Sequence, residues 1–130
     1  MLLKKKIMII DDDEIITSMF KIRIESSGDY EVAAYAEAKD IIKHIHELRP
    51  DVILLDLLMP GIGGLDICDM LNHDPIGLTI PVIIVSGDDK PADKVKAFKF
   101  GISDYLVKPI DDVRLMKAIE KAIELKSEQF

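Results

Sequence analysis

This sequence has no tryptophan and one cysteine, Cys68. A lone cysteine closes no internal disulfide, which points to a reducing compartment and a cytoplasmic protein. No apolar run approaches the ~20 residues of a membrane span. Lys4, Lys5 and Lys6 near the start carry the charge of a secretory leader, but the apolar stretch behind them, residues 7–10, is too short for one and ends in three aspartates. Positive charge is also scarce: 17 Lys and Arg against 24 Asp and Glu give a net charge of −7, which argues against a direct nucleic-acid surface. There is no internal repeat, low-complexity tract or Gly-rich phosphate loop. His44, His46 and His73 have no carboxylate or cysteine partners at metal-ligand spacing and read as surface residues. Cys68 reads as buried filler in a helix.

What is present is a regular alternation. The chain is 130 residues long, 48% hydrophobic and 32% charged, enough for one domain with one soluble core, taken as residues 1–130. Residues 7–10, 52–55 and 81–85 are short unbroken apolar runs, the pattern of strands buried on both sheet faces. Residues 30–34 and 104–107 add two more strands. Between them the spacing becomes helical. Asp13 caps a first helix with Ile15, Ile16, Met19, Ile22 and Ile24 as its apolar positions. A second spans 36–48, with Ile41, Ile42, Ile45 and Leu48 inward, and stops at Arg49-Pro50. A third spans 64–72, and 73–80 reads as loop. Pro91 opens a fourth helix running to Phe100 and ending at Gly101. Asp111 or Asp112 caps the fifth, which runs to about residue 126 with Leu115, Ile119, Ala122 and Leu125 inward. Five strands alternating with five helices predict an α/β, doubly wound, five-stranded parallel sheet of flavodoxin-like order 2-1-3-4-5.

Four of these strands end in polar groups at one sheet edge. The first ends at Asp11 and Asp12, the third at Asp56, the fourth at Ser86 and the fifth at Lys108. Neighbouring strands lie ~4.8 Å apart, so the groups converge. Two like charges at about 4 Å repel by about 4 kcal/mol at an effective dielectric of about 20. Folding gathers three carboxylates only against counter-charge. Lys108 is one source, and a divalent ion on hard oxygen ligands, Mg²⁺, is the other. An Asp held against a cation is a candidate phosphoryl acceptor, because phosphoryl transfer depends mainly on neutralising charge on the transferred oxygens. Blander readings compete. Asp11 and Asp12 as helix caps duplicate Asp13, and Asp56 as a turn residue leaves the repulsion unexplained. Ser86 and Lys108 taken singly are ordinary loop and surface residues. Lys94, Lys96 and Lys99 read as a solvated helix face.

Together, Asp11-Asp12 after residues 7–10, Asp56 followed by Met59-Pro60 and Gly64, Ser86 closing 82–85, and Tyr105-Leu106-Val107-Lys108-Pro109 resemble a response-regulator receiver domain. The resemblance covers residues 6 to about 126. It implies that Asp56 accepts a phosphoryl group from a sensor histidine kinase or phosphotransfer protein. It implies Mg²⁺ on Asp12 and Asp56 directly, on Asp11 through water, and on the backbone carbonyl of Leu58. It assigns Lys108 to the phosphoryl oxygens, makes the bond to Pro109 cis, and on phosphorylation has Ser86 swing in to hydrogen-bond the phosphoryl group and Tyr105 turn inward behind it. That motion reshapes the fourth helix–fifth strand–fifth helix face, where a downstream protein docks. No membrane or direct nucleic-acid contact is implied for this domain, and a homodimer is left open. Arg114 and Ala118 do not match the salt-bridge positions of the winged-helix transcription-factor subclass.

The resemblance implies self-catalysed acceptance and slow autodephosphorylation rather than a turnover enzyme. Leu58, two residues after the acceptor, is apolar and shields the acyl-phosphate from water, while Asp88 adds a negative charge at the mouth. Three alternatives remain. The chain is a receiver cut from a larger transcription factor or hybrid kinase; or it is an aspartyl-phosphate phosphatase, although Leu58 stands where that class carries a second Asp; or it binds a flavin or nucleotide, against the charge of three acids.

Overall fold

In a computed structural model, residues 3–129 are described; Met1, Leu2 and Phe130, at the ends of the leader-like start and of the last segment, lie outside the described residues. The strands are β1 (Lys5–Ile10), β2 (Tyr30–Tyr35), β3 (Val52–Leu55), β4 (Val82–Ser86) and β5 (Asp104–Val107). The helices are α1 (Glu14–Glu25), α2 (Ile41–Leu48), α3 (Gly64–Asn72), α4 (Pro91–Lys99) and α5 (Asp112–Gln129), with one 3₁₀ turn at Gly77–Thr79 inside the stretch read as loop. The sheet is parallel throughout, in the order β2-β1-β3-β4-β5. This is the predicted topology.

Strand alternation splits the core in two. Met8, Ile10, Ile53, Leu55, Ile84 and Tyr105 face α2, α3 and α4. Ile7, Ile9, Val52, Leu54, Ile83, Val85 and Leu106 face α1 and α5. Every residue of β3 and β4 is buried, as a strand covered by helices on both faces requires. Register sets the functional edge: Ile10 lies opposite Leu55, and Leu55 opposite Ile84. The next residue of β1 and of β3 is therefore an aspartate at the same level.

Three details of the helices differ from the sequence reading. On α1, Ile15, Met19 and Ile22 face solvent, while Ile24 is buried and Ile16 and Phe20 are partly so. The second helix begins at Ile41 rather than residue 36, because Asp40 adopts a left-handed conformation (φ 58°) that reverses the chain before the helix. On α5, Leu125 is 41% exposed rather than inward. Both predicted aspartate caps are present. Asp13 accepts from the Ile15 and Ile16 amides, and Asp111 accepts from the Arg114 amide.

Candidate functional site

Asp11 follows the last residue of β1, and its amide donates to the Tyr35 carbonyl of β2. Asp56 follows β3, and its amide donates to the Ile10 carbonyl. The ladders thus extend one residue past the strands and aim two carboxylates into the same crevice. Both are buried, at 4% and 5% exposure, which for aspartate demands compensation. Lys108, just after β5, provides it. Its Nζ donates to Asp11 Oδ2 at 2.8 Å, across β3 and β4, and to Asp56 Oδ2 at 3.2 Å, across β4. The remaining oxygens are held by local amides: Asp13 N–H donates to Asp11 Oδ1 and Leu58 N–H to Asp56 Oδ1, both at 2.9 Å.

The electrostatics follow from this geometry. Burial pushes the Asp11 carboxyl above its ordinary value, against the hydrogen bonds from Lys108 and the Asp13 amide, and the Asp56 charge adds to the rise. Burial pulls the Lys108 ammonium down, yet the hydrogen bond to Asp11 and the charges of Asp56 and Asp11 outweigh it and hold the group above its ordinary value. One cation is thus shared by two buried acids, while the third, Asp12, is exposed.

One carboxylate oxygen from each of Asp11, Asp12 and Asp56 lies within 4.8 Å of the others. Two ligands bound directly to Mg²⁺ are at most about 4.2 Å apart, twice the ~2.1 Å bond length. A set this compact is of the size that one Mg²⁺ with retained waters can bridge. The donor set is hard oxygen only, and one lysine leaves the cluster short of positive charge, so these residues fit Mg²⁺.

Ser86, at the end of β4, is fully buried, and its Oγ accepts from the Asp88 amide at 3.2 Å. Tyr105 is 9% exposed, and its hydroxyl donates to the Asp88 carbonyl at 2.5 Å. Burial and the charges of Asp88, Asp93, Asp89 and Asp56 push its phenol up to about 12. The Lys108–Pro109 bond is cis, and the Lys108 amide donates to the Ser86 carbonyl at 2.8 Å. Leu58 is 59% exposed beside the acids.

Sequence reasoning did not find the Asp88 peptide, held at both its amide and its carbonyl. A backbone group carries no residue-type signal. The Asp88 carboxylate is held below its ordinary value by hydrogen bonds from Asp93 and the Lys90 amide, and the same contact with Asp88 raises Asp93. His46 and His73 do have carboxylate neighbours, Asp74 at 2.8 Å and Asp69 at 3.5 Å, partners brought near by the fold or by one helical turn.

Residues 7–120 match the family model for the response regulator receiver domain. The alkaline phosphatase synthesis transcriptional regulatory protein PhoP of Bacillus subtilis is 32% identical over 126 residues, 97% of this chain and 51% of that protein. Response regulator PleD of Caulobacter vibrioides is 31% identical over 121 residues, 93% of this chain and 26% of that protein. The chain spans about half or less of the length of these curated relatives. A solved response regulator receiver domain protein from Clostridium thermocellum superposes with a TM-score of 0.87 at 30% identity, covering 97% of this chain and 99% of that one. A CheY-like receiver domain protein from Methanospirillum hungatei gives 0.90 at 23% identity over 98% of this chain and 100% of that one, a likeness of fold alone.

Proposed function

The chain belongs to the response regulator receiver domain family, and from that premise we propose that it is a two-component phosphorelay switch whose phosphoryl acceptor is Asp56. One observation carries the reading: Lys108 Nζ bridges two buried aspartates that share a cluster with a third. An Asp56 carboxylate oxygen attacks the phosphorus of a phosphohistidine on a sensor kinase or phosphotransfer protein. The P–N bond breaks, its electron pair stays on the imidazole nitrogen, and Asp56 carries an acyl-phosphate.

Lys108, already on Asp56, lies within reach of a phosphoryl oxygen on that carboxylate and keeps its second contact on Asp11. The Ser86 hydroxyl, released from the Asp88 amide, turns to a phosphoryl oxygen. Asp11, Asp12, Asp56 and the Leu58 carbonyl are the groups that hold Mg²⁺, which supplies positive charge to the transferred oxygens when bound. Tyr105 and the α4–β5–α5 face carry the change to a downstream protein. The domain, residues 1–130, acts in the cytoplasm as an acceptor and not as a turnover enzyme. Leu58 supports that view, since a general acid or base for repeated hydrolysis is lacking at that position.

The test is incubation with acetyl phosphate and Mg²⁺, read by intact mass. One phosphoryl group is expected, dependent on Mg²⁺ and absent in Asp56→Asn. Labelling that survives in Asp56→Asn, multiple turnover of a generic phosphate ester, or no Mg²⁺ binding in titration overturns the proposal.

A further inference from the structure

Lys94 is less free than its place on a lysine-rich helix suggests. Its Nζ pairs with Asp89 and lies 5.8 Å from the centre of the Tyr105 ring, inside the range of a cation–π contact. Asp89 belongs to the β4–α4 loop, the segment whose Asp88 peptide is held by Ser86 Oγ at its amide and by Tyr105 Oη at its carbonyl. One side chain on α4 thus touches both the loop that senses Ser86 and the aromatic ring that reports on it.

The rest of α4 is weakly held. Ala97 is its one fully buried residue, Val95 and Phe98 are 55% and 50% exposed, and its first residue has no side-chain cap. A helix with so little buried area changes position at low cost. Its few specific ties then decide where it sits.

We propose that Lys94 is a positioning residue that couples α4 to Tyr105 and the β4–α4 loop, through its simultaneous contacts with Asp89 and the Tyr105 ring. The proposal rests on the switch reading above for what drives the motion, but not for the coupling itself. While Ser86 holds the Asp88 amide, Tyr105 stays under the loop and Lys94 keeps α4 against it. When Ser86 turns to a phosphoryl oxygen, the Asp88 peptide loses one of its two anchors. Lys94 then transmits the shift of loop and ring to α4. Lys96 and Lys99, on the same helix, are exposed and have no ion-pair partner among the described residues. They serve as internal controls.

The experiment is NMR of the full chain with ring-labelled tyrosine, whose three tyrosines give three assignable signals, together with backbone amide spectra. Spectra are recorded with and without Mg²⁺ and beryllium fluoride, a phosphoryl mimic. Lys94→Met keeps the stem and removes the charge; Lys94→Arg keeps the charge. In Lys94→Met without the mimic, the Tyr105 ring signal moves toward its solvent-exposed position, with the outward population up about two- to fivefold. With the mimic, amides 87–89 still shift, but most of the shift in amides 91–99 is lost. Lys94→Arg behaves as the parent, and so does Lys99→Met. Unchanged ring and α4 signals in Lys94→Met overturn the proposal, as does a Lys94→Arg variant that behaves like Lys94→Met. If beryllium fluoride moves nothing in the parent, the switch reading fails. The coupling then stands or falls on the Tyr105 signal without the mimic.

Discussion

At the scale of single residues, the site is a balance between buried acids and one base, and each side of it can be removed separately. Lys108→Met leaves Asp11 and Asp56 buried, close together and without their shared cation. Breaking such a group by removing one partner is expected to cost about 3 kcal/mol. Asp56→Asn does the opposite: it removes an acid from the cluster while the amide oxygen still accepts from Leu58 N–H. In metal-free buffer this variant unfolds at a urea concentration equal to or above the parent's, and adding Mg²⁺ raises its midpoint less than the parent's. An Asp56→Asn midpoint as low as that of Lys108→Met refutes the balance. Leu58 makes a second prediction. Its exposed, apolar side chain stands beside the acceptor, so the acyl-phosphate is lost more slowly in the parent than in Leu58→Asn, measured as decay of the phosphorylated mass. Equal or faster loss in the parent refutes the shielding role. Asp11, Asp56 and Lys108 were legible in the sequence because each follows the last residue of a strand, and topology alone brings strand ends together. The direction of the Ser86 hydroxyl was not legible, since it depends on where the Asp88 amide lies.

At the scale of elements, two stripes of α1 compete in the sequence. Ile15, Met19 and Ile22 recur at helical spacing, and so do Ile16, Phe20 and Ile24. Period alone does not choose between them; packing against the sheet selects the second, with Ile24 fully buried. Ile22→Lys is therefore expected to change stability by less than about 0.5 kcal/mol, whereas Ile24→Ala costs about 2–5 kcal/mol. Urea unfolding of the two variants checks the assignment, and a large loss in Ile22→Lys refutes it. The start of α2 was missed for a different reason. Residues 36–39 include good helix formers, but the left-handed Asp40 turns the chain so that Ala38 joins the core beside Ile41 and Ile45. Aspartate tolerates that conformation better than most residues, and its chemistry does not announce it. Gly64 shows an element boundary that the site depends on. A Cβ there would lie 2.7 Å from the Leu57 Cα and 3.0 Å from the Asp56 carbonyl oxygen. Backbone cannot yield as a flexible side chain does, so Gly64→Ala pushes α3 away from the strand end that carries Asp56. A loss of about 1–3 kcal/mol is expected, accompanied by weaker Mg²⁺ binding in titration. Unchanged stability and Mg²⁺ affinity rule out that close approach.

At the scale of the whole molecule, the pH dependence of stability sums groups that pull in opposite directions. Asp11 has a raised pKa, so its contribution falls as pH climbs above 3.8 through its folded value. Lys108 is also raised; its contribution is complete below 10.5 and disappears as pH climbs through its higher folded value. Asp74 is the counterweight on the acid side. It accepts from the Gly77 and Ile76 amides and pairs with His46 of α2, joining that helix to the 3₁₀ turn before β4. The Gly77 amide and the His46 contact hold its carboxyl below 3.8 against some desolvation. Its contribution is therefore present above 3.8 and lost as pH falls through the folded value. Asp74→Asn keeps an oxygen for one amide but loses the charge. At neutral pH it should unfold at lower urea than the parent, and the gap should narrow steadily from about pH 5 downward, as the parent's carboxylate is protonated. Among the described residues, Asp74 shares no hydrogen-bond or ion-pair partner with Asp11, Asp56 or Lys108, so its effect should add to theirs. A gap that stays constant across the acid range shows that Asp74 acts by shape alone. A gap that widens toward low pH reverses the sign of the linkage and refutes the assignment.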